Sequence, residues 1–275
     1  MKVSYHSHSR FCDGKGEPED YVRAALDKGF SAFGFSSHAP VPFVTDWNMK
    51  LSDLPEYLCL TRHLKEQYRG RIDLCTGLET DFFPGCTDWR AMPDLSYTVG
   101  AVHFLPHPKT GVALPVDDNA KEFRKTLDNG FDGEIQAFGE AYYGALREML
   151  VTMPPNMLAH MDVFRKNNGG NRFFDEEDEW YREEIGKTLE VALLTDVIVE
   201  VNTGAMSRGY LKEPYPSGWI LEAIHEFGIP IVLNSDAHQP DAVDFGYVEV
   251  RKQLLQIGFT HQRVLYEGIW QDVPL

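Results

Sequence analysis

The sequence predicts an α/β fold, a closed or distorted (β/α) barrel of seven units, on three observations. Apolar, β-branched and aromatic runs recur along the chain, helix-like stretches fall between them, and each run ends in a polar or metal-capable residue just before a loop. Alternation of this kind is the pattern of a parallel sheet covered by helices. In a barrel the loops after the strands meet at one face, so chemistry-bearing residues at successive strand ends point at one cavity mouth. An open doubly wound sheet is the alternative, but it would gather such residues near a switch point instead.

The seven runs, in order, are VSYHSH (3–8), SAFGFSSHAP (31–40), IDLCTGLETDF (72–82), SYTVGAVHF (96–104), NMLAHMD (156–162), DVIVEVNTG (196–204) and IPIVLNSDAH (229–238). Three stretches between them read as helices. EPEDYVRAALDKG (17–29) carries Pro18 in its first turn, early acids and a terminating Gly29. LSDLPEYLCLTRHLKEQYRG (51–70) has Ser52 as candidate N-cap, and FDEEDEWYREEIGKTLEVALLT (174–195) is the longest amphipathic segment. Pro, Asn and Gly mark loops at about 87–96 and 167–171.

A hydrophobic content of 43% over 275 residues can bury a large core, and one domain spanning 1–275 is expected. No apolar run approaches the roughly 20 residues that cross a bilayer, and no basic-then-hydrophobic leader opens the chain. A soluble, cytoplasmic protein is expected. Cys12, Cys59, Cys75 and Cys86 show no CxxC pairing and read as free thiols. With 42 acidic against 26 basic residues the formal charge is −16, which argues against nucleic acid and anionic membranes as partners. A small anionic substrate stays compatible, because bound cations invert the local sign of a site.

Collecting the strand ends gives His6, His8, His38, Glu79, His103, His160, Asp236 and His238. His6 and His8 stand one residue apart, so an extended backbone points both the same way. One such residue after a strand is an ordinary loop side chain; a series of them at one barrel mouth is a metal cage. Eight ligands exceed the three protein ligands and water of a single catalytic zinc, so two or three ions are expected. A carboxylate can bridge cations roughly 3.5–4 Å apart, and Glu79 is the candidate bridge. The imidazole-rich mix suits Zn, Fe or Mn rather than Mg or Ca. His63, His225 and His261 fall outside the series and read as surface or packing residues, while His107 falls on a rim loop. No GxSxG, GxxxxGK[ST] or GxGxxG pattern is present.

Two arginines fall just beyond strand ends, Arg165 in AHMDVFRK and Arg208 after VEVNTG. A guanidinium grips two phosphate oxygens at once, which lysine does not.

HSHSRFCDGKG, SSHAP, GLETDFF, GAVHF, AHMDVFRK, VEVNTGAMSRGY, EPYPS and NSDAHQP together resemble, in order and spacing, the PHP (polymerase and histidinol phosphatase) superfamily, and within it the monofunctional histidinol-phosphate phosphatases. The resemblance runs from residue 2 to about residue 250 and implies a distorted (β/α)7 barrel. It implies a first metal on His6, His8 and Asp236, with Glu79 bridging to a second that His103 and His160 complete. A third would lie on His38 and His238, with Asp13 as the matching loop ligand and Cys12 as an alternative. Arg165 and Arg208 would hold the substrate phosphate. The implied reaction is hydrolysis of L-histidinol phosphate to L-histidinol and inorganic phosphate, in histidine biosynthesis. Attack by a metal-bridging hydroxide is expected, with Asp236, His238 or bound water protonating the leaving oxygen. Acidic and aromatic rim groups, Trp47, Phe83 and Tyr210 among them, would suit the amine and imidazole of such a substrate. Another small phosphomonoester or nucleotide is the nearest rival substrate. A PHP nuclease and a non-catalytic metal-binding domain are more distant readings.

Overall fold

A computed structural model describes all 275 residues. The strands are β1 (Val3–Ser4), β2 (Ala32–Phe35), β3 (Asp73–Asp81), β4 (Tyr97–Ala101), β5 (Phe104–Pro106), β6 (Ala113–Pro115), β7 (Met157–Leu158), β8 (Ile198–Asn202), β9 (Ile231–Asn234), β10 (His261–Tyr266) and β11 (Ile269–Pro274). The α-helices are α1 (Pro18–Asp27), α2 (Leu54–Gln67), α3 (Ala120–Phe131), α4 (Ile135–Thr152), α5 (Glu179–Thr195), α6 (Gly204–Ser207), α7 (Gly218–Phe227) and α8 (Tyr247–Ile257).

The seven runs predicted as strands supply the seven strands of one parallel sheet, ordered β1-β2-β3-β4-β7-β8-β9. The sheet curls until its edges meet. Ser7 bridges Ala237 in parallel, and the His8 amide donates to the Ala237 carbonyl at 2.9 Å. Below that bridge side chains close the seam: the Tyr5 amide donates to Asn234 Oδ1 at 2.8 Å and the Ser235 amide to Ser4 Oγ at 3.1 Å. The architecture is a nearly closed, distorted (β/α)7 barrel.

A two-residue period explains both faces of the sheet. Val3, Tyr5, Ala32, Cys75, Tyr97, Val99, Met157, Ile198 and Val232 pack in the barrel interior, with Val264, Leu265 and Val273 of the C-terminal β10–β11 hairpin. Their neighbours Phe33, Phe35, Leu74, Leu78, Leu158, Val199, Val201, Ile231 and Leu233 face the helices in a larger core. Tyr97 fills the middle of the barrel. Its hydroxyl reaches the carbonyls of Tyr5 (2.6 Å) and Phe35 (2.9 Å), and its ring occupies the space that a Cβ at Gly34 or Gly77 would need.

Helix chemistry is local and legible. At α1 the Asp20 carboxylate accepts the Glu17 amide, with Pro18 at the first position and Tyr21, Val22 and Ala25 turned inward. At α3 Asn119 Oδ1 accepts the amides of Lys121 and Glu122. Ser52 does not cap α2: that helix begins at Leu54 after Asp53, and the Ser52 hydroxyl donates to Asp53 Oδ1 at 2.8 Å. The longest predicted helix starts later than its acidic run suggests, because residues 174–178 form an ordered turn before α5. No helix is long and apolar enough to cross a membrane.

Candidate metal centre

The period that lines the barrel with apolar side chains carries on past the strand ends into polar ones. Cys75, Gly77, Glu79 and Asp81 share one parity, as do Tyr97, Val99, Ala101 and His103, and Val232, Asn234 and Asp236. The parity breaks after β1 and β7, the two shortest strands, where Tyr5 and Ala159 pack inside yet His6 and His160 also reach the centre.

Glu79 is the hub. Its Oε2 lies 3.1 Å from His6 Nε2, 3.4 Å from His8 Nε2 and 3.0 Å from His38 Nδ1. Its Oε1 lies 3.0 Å from His160 Nε2 and 3.5 Å from His103 Nε2. Asp236 Oδ1 stands 3.0 Å from His8 Nε2, 3.6 Å from His6 Nε2 and 3.4 Å from His238 Nδ1. Asp13 joins on the open side, 3.1 Å from His238 Nε2, 3.7 Å from His8 Nδ1 and 3.8 Å from His38 Nε2. Every predicted metal ligand is thus in one cluster. Donor atoms converge within 4.8 Å in the sets His6–His8–Asp236, His6–Glu79–His160 and His8–Asp13–His38–His238, and in His38–Asp81–His103.

These residues fit metal ions on evidence of their own. His6 Nε2, His8 Nε2, His38 Nδ1, Glu79 Oε2 and Asp236 Oδ1 are all buried without a hydrogen-bond partner, a costly arrangement unless cations take the lone pairs. Separations of 3.0–3.6 Å are those of two donors each about 2.0–2.2 Å from a shared ion. Burial opposes the charge on Glu79, but the imidazoles of His38, His6 and His103 hold its carboxyl well below the usual range. Burial, with His238 and His38 nearby, pushes His8 down to about 3, whereas at His6, His38 and His103 burial is outweighed by facing carboxylates that push them up, so ions binding at those rings displace protons. Burial and the charge of Asp13 raise the Cys12 thiol to about 11; its Sγ sits 3.4 Å from His8 Nδ1 as a neutral neighbour, while Asp13 takes the position facing His238.

A cavity of about 160 Å³ opens over the cluster, lined by Asp13, His38, Glu79, His103, His160, Asp236 and His238 and by Trp47, Asp117, Asp118, Val163, Lys166, Arg208 and Tyr215. Arg208 Nη2 donates to Asp236 Oδ2 at 3.0 Å, and its Nη1 lies 2.9 Å from the His238 ring nitrogens. Arg165, predicted as the second phosphate arginine, is not brought to the cavity. It is buried with Nε on Glu176 (3.0 Å), Nη2 on Glu213 (2.5 Å) and Nη1 3.8 Å from Asp162, because three carboxylates close on its short 3-10 turn. The second cation lining the cavity is its neighbour Lys166, 3.2 Å from Asp117.

Of the aromatic rim candidates Trp47 lines the cavity, stacked on Phe104 at 5.2 Å; Phe83 packs on Phe43, and Tyr210 lies exposed under Lys166. His107 sits at the β5–β6 turn, where its Nδ1 accepts the Lys109 amide. His63 is exposed on α2, His261 is exposed on β10, and His225 packs on Phe259.

Sequence reasoning missed Asp81, Asp117, Lys166, Glu200 and Tyr215. The available signals were acids at inward positions of apolar runs, in GLETD and VIVEV, and the charged pair in PVDDN.

The model of the PHP domain family matches residues 4–204. Over 271 residues, 94% of this chain and 96% of the relative, the chain is 30% identical to the probable histidinol-phosphatase of Deinococcus radiodurans. It is 27% identical to the histidinol-phosphatase of Bacillus subtilis, over 90% of this chain and 97% of that one. Among solved structures, one from Listeria monocytogenes superimposes with a TM-score of 0.80 at 23% identity, covering 90% of this chain and 99% of that one. The histidinol phosphate phosphatase of Lactococcus lactis, complexed with Zn, L-histidinol and phosphate, superimposes with a TM-score of 0.69 at 18% identity, each chain 98% covered. A barrel closed between β1 and β9, a histidine–carboxylate cage at its mouth and these relatives agree, and the chain belongs to the PHP domain family, in its histidinol-phosphatase branch.

Proposed function

We propose that this chain is a metal-dependent phosphomonoesterase that hydrolyses L-histidinol phosphate to L-histidinol and inorganic phosphate in cytoplasmic histidine biosynthesis, with one domain spanning 1–275. The observation that carries the reading is Glu79, whose two carboxylate oxygens face different sets of imidazoles among buried donors that lack any other partner. Two or three ions of Zn, Fe or Mn bound there would supply Lewis acidity and a hydroxide at neutral pH.

The chain's own residues do the rest. His6, His8 and Asp236, then Glu79, His103 and His160, then Asp13, His38 and His238 hold the cage. Arg208 grips the phosphate oxygens and Lys166 adds positive charge to the same cavity. Burial works against ionisation of Asp236, yet Arg208 with His6 and His238 holds its carboxyl well below the usual range. That removes Asp236 as proton donor for the leaving oxygen and leaves His238, at the cavity edge, or bound water. Asp117 and Asp118 with Trp47 offer charge to an amine and a flat face to an imidazole. The ligands named for the Lactococcus protein support this choice of substrate. The charge of −16 supports a small-molecule partner over nucleic acid or membrane.

The test is phosphate release across a panel of phosphomonoesters together with metal analysis. Histidinol phosphate should exceed generic esters in kcat/KM by about a hundredfold or more. In Glu79→Gln at least one ion should be lost and kcat/KM should fall more than about a hundredfold, since even outer partners of a metal ligand cost 10–100-fold. Equal rates across the panel would transfer the reading to another phosphomonoester.

A further inference from the structure

Glu200 is a buried acid that takes no place in the cage, and its surroundings give it a different part. It lies in β8 within the apolar run Ile198–Val201, fully buried, at an inward position that apolar side chains fill elsewhere in the barrel. Oε1 accepts His6 Nδ1 at 2.6 Å and Asn234 Nδ2 at 3.0 Å. Oε2 accepts the His160 backbone amide at 3.0 Å and Asn202 Nδ2 at 2.9 Å. Three of these partners are fixed donors, and with the carboxylate ionised His6 Nδ1–H becomes the fourth.

We propose that Glu200 is a positioning residue that fixes the tautomer and aim of His6 and the seat of His160, and so sets the affinity of the two metal positions those histidines share. This rests on the metal reading of the cage. With Nδ1–H committed to Glu200, His6 presents a bare Nε2 to Glu79 and Asp236. The hold on the His160 amide fixes the loop that puts His160 Nε2 3.0 Å from Glu79. The supports are themselves anchored: Asn202 Oδ1 accepts the Gly204 amide and Asn234 Oδ1 the Tyr5 amide, both at 2.8 Å. One carboxylate thereby ties together the segments of β1, β7, β8 and β9 beneath the cage. A packing role would be met by an apolar side chain; four converging donors around a charge beneath a metal ligand are what orient it and make it more basic. Across the cage Asp81 does the same for His103, with Nδ1 at 2.6 Å and Asn48 Nδ2 on its other oxygen at 2.9 Å.

Glu200→Gln keeps the volume but turns an amide against two of the four donors whichever way it faces. In the zinc-loaded protein, chelator competition should show zinc affinity falling 10–100-fold in Glu200→Gln, with far-UV circular dichroism unchanged. Long-range ¹H–¹⁵N correlation spectra of the zinc-loaded wild type should show His6 and His103 protonated on Nδ1 and metal-bound through Nε2. The inference is overturned if Glu200→Gln binds zinc as tightly as wild type, or if His6 carries its proton on Nε2. Should Glu200→Gln fail to fold, the wild-type tautomers decide alone. A wild-type protein that binds no zinc, iron or manganese overturns the metal reading itself, a result distinct from an intact cage indifferent to Glu200.

Discussion

Arg208 borders the cavity beside Asp236 and His238, whereas Arg165, from an equally suggestive position in sequence, is enclosed by Asp162, Glu176 and Glu213. Replacing Arg208 by Lys keeps the charge and loses the fork, and kcat/KM for the phosphate ester should fall by about a hundredfold while Tm changes little. Replacing Arg165 by Met should instead act on stability, because it leaves the buried Asp162 carboxylate without its cation; about 3 kcal/mol, a fall in Tm of roughly 6–12 °C, is expected by calorimetry. An Arg165→Met protein of unchanged Tm and abolished turnover would contradict that division. At this scale the cage residues other than Asp13 were readable because each stands where an apolar run ends, whereas Asp13, in a loop, came only with the family resemblance. Glu200 and Asp81 were not, since an acid one step inside a strand looks the same whether it serves an imidazole, a helix or solvent.

The turn from β8 into α6 bears directly on the cage. A Cβ at Gly204 would lie 2.5 Å from Asp236 Oδ2 and 2.8 Å from its Cγ, so Gly204→Ala must displace that carboxylate. A shift near 1 Å in a positioned group costs on the order of a hundredfold; kcat/KM and ion content should both drop with the circular dichroism spectrum retained. Far from the site, α4 and α5 are pinned by Arg147, whose Nη2 donates to Glu184 at 2.7 Å. Burial raises the Glu184 pKa, but Lys187 and Arg147 outweigh it and leave the carboxyl below its ordinary value of 4.5. The stabilisation is therefore complete above pH 4.5 and disappears as pH falls through the lower folded value. Glu184→Gln should cost about 1–2 kcal/mol at pH 7, and denaturant titrations should show the gap closing in acid. Helix α4 and the β10–β11 hairpin had no counterpart in the sequence reading. The helix is apolar around much of its girth, which blurs the 3.6-residue signal, and each hairpin strand spans only six residues.

Seven parallel strands whose edges meet through one backbone bridge and a few side chains make a barrel that depends on its contents at the mouth. Ions bound only by the folded state stabilise it by mass action, about 2.7 kcal/mol at a hundredfold excess over Kd. Chelation should therefore lower Tm by several degrees as well as remove activity, and readdition of metal should restore both; a chelated protein of unaltered Tm would show that the ions add nothing to folding. The architecture itself was legible as a whole, because alternating runs and their polar ends repeat seven times. The seam has a consequence for biosynthesis. His6 and His8 leave the ribosome before the rest of the cage, while Asp236 and His238, which complete their surroundings, are translated more than two hundred residues later, a delay on the order of ten to fifty seconds. The growing polypeptide thus carries an open pair of imidazoles with no enclosing wall, and discrimination among cellular ions by the finished cage begins only once Asp236 and His238 have emerged.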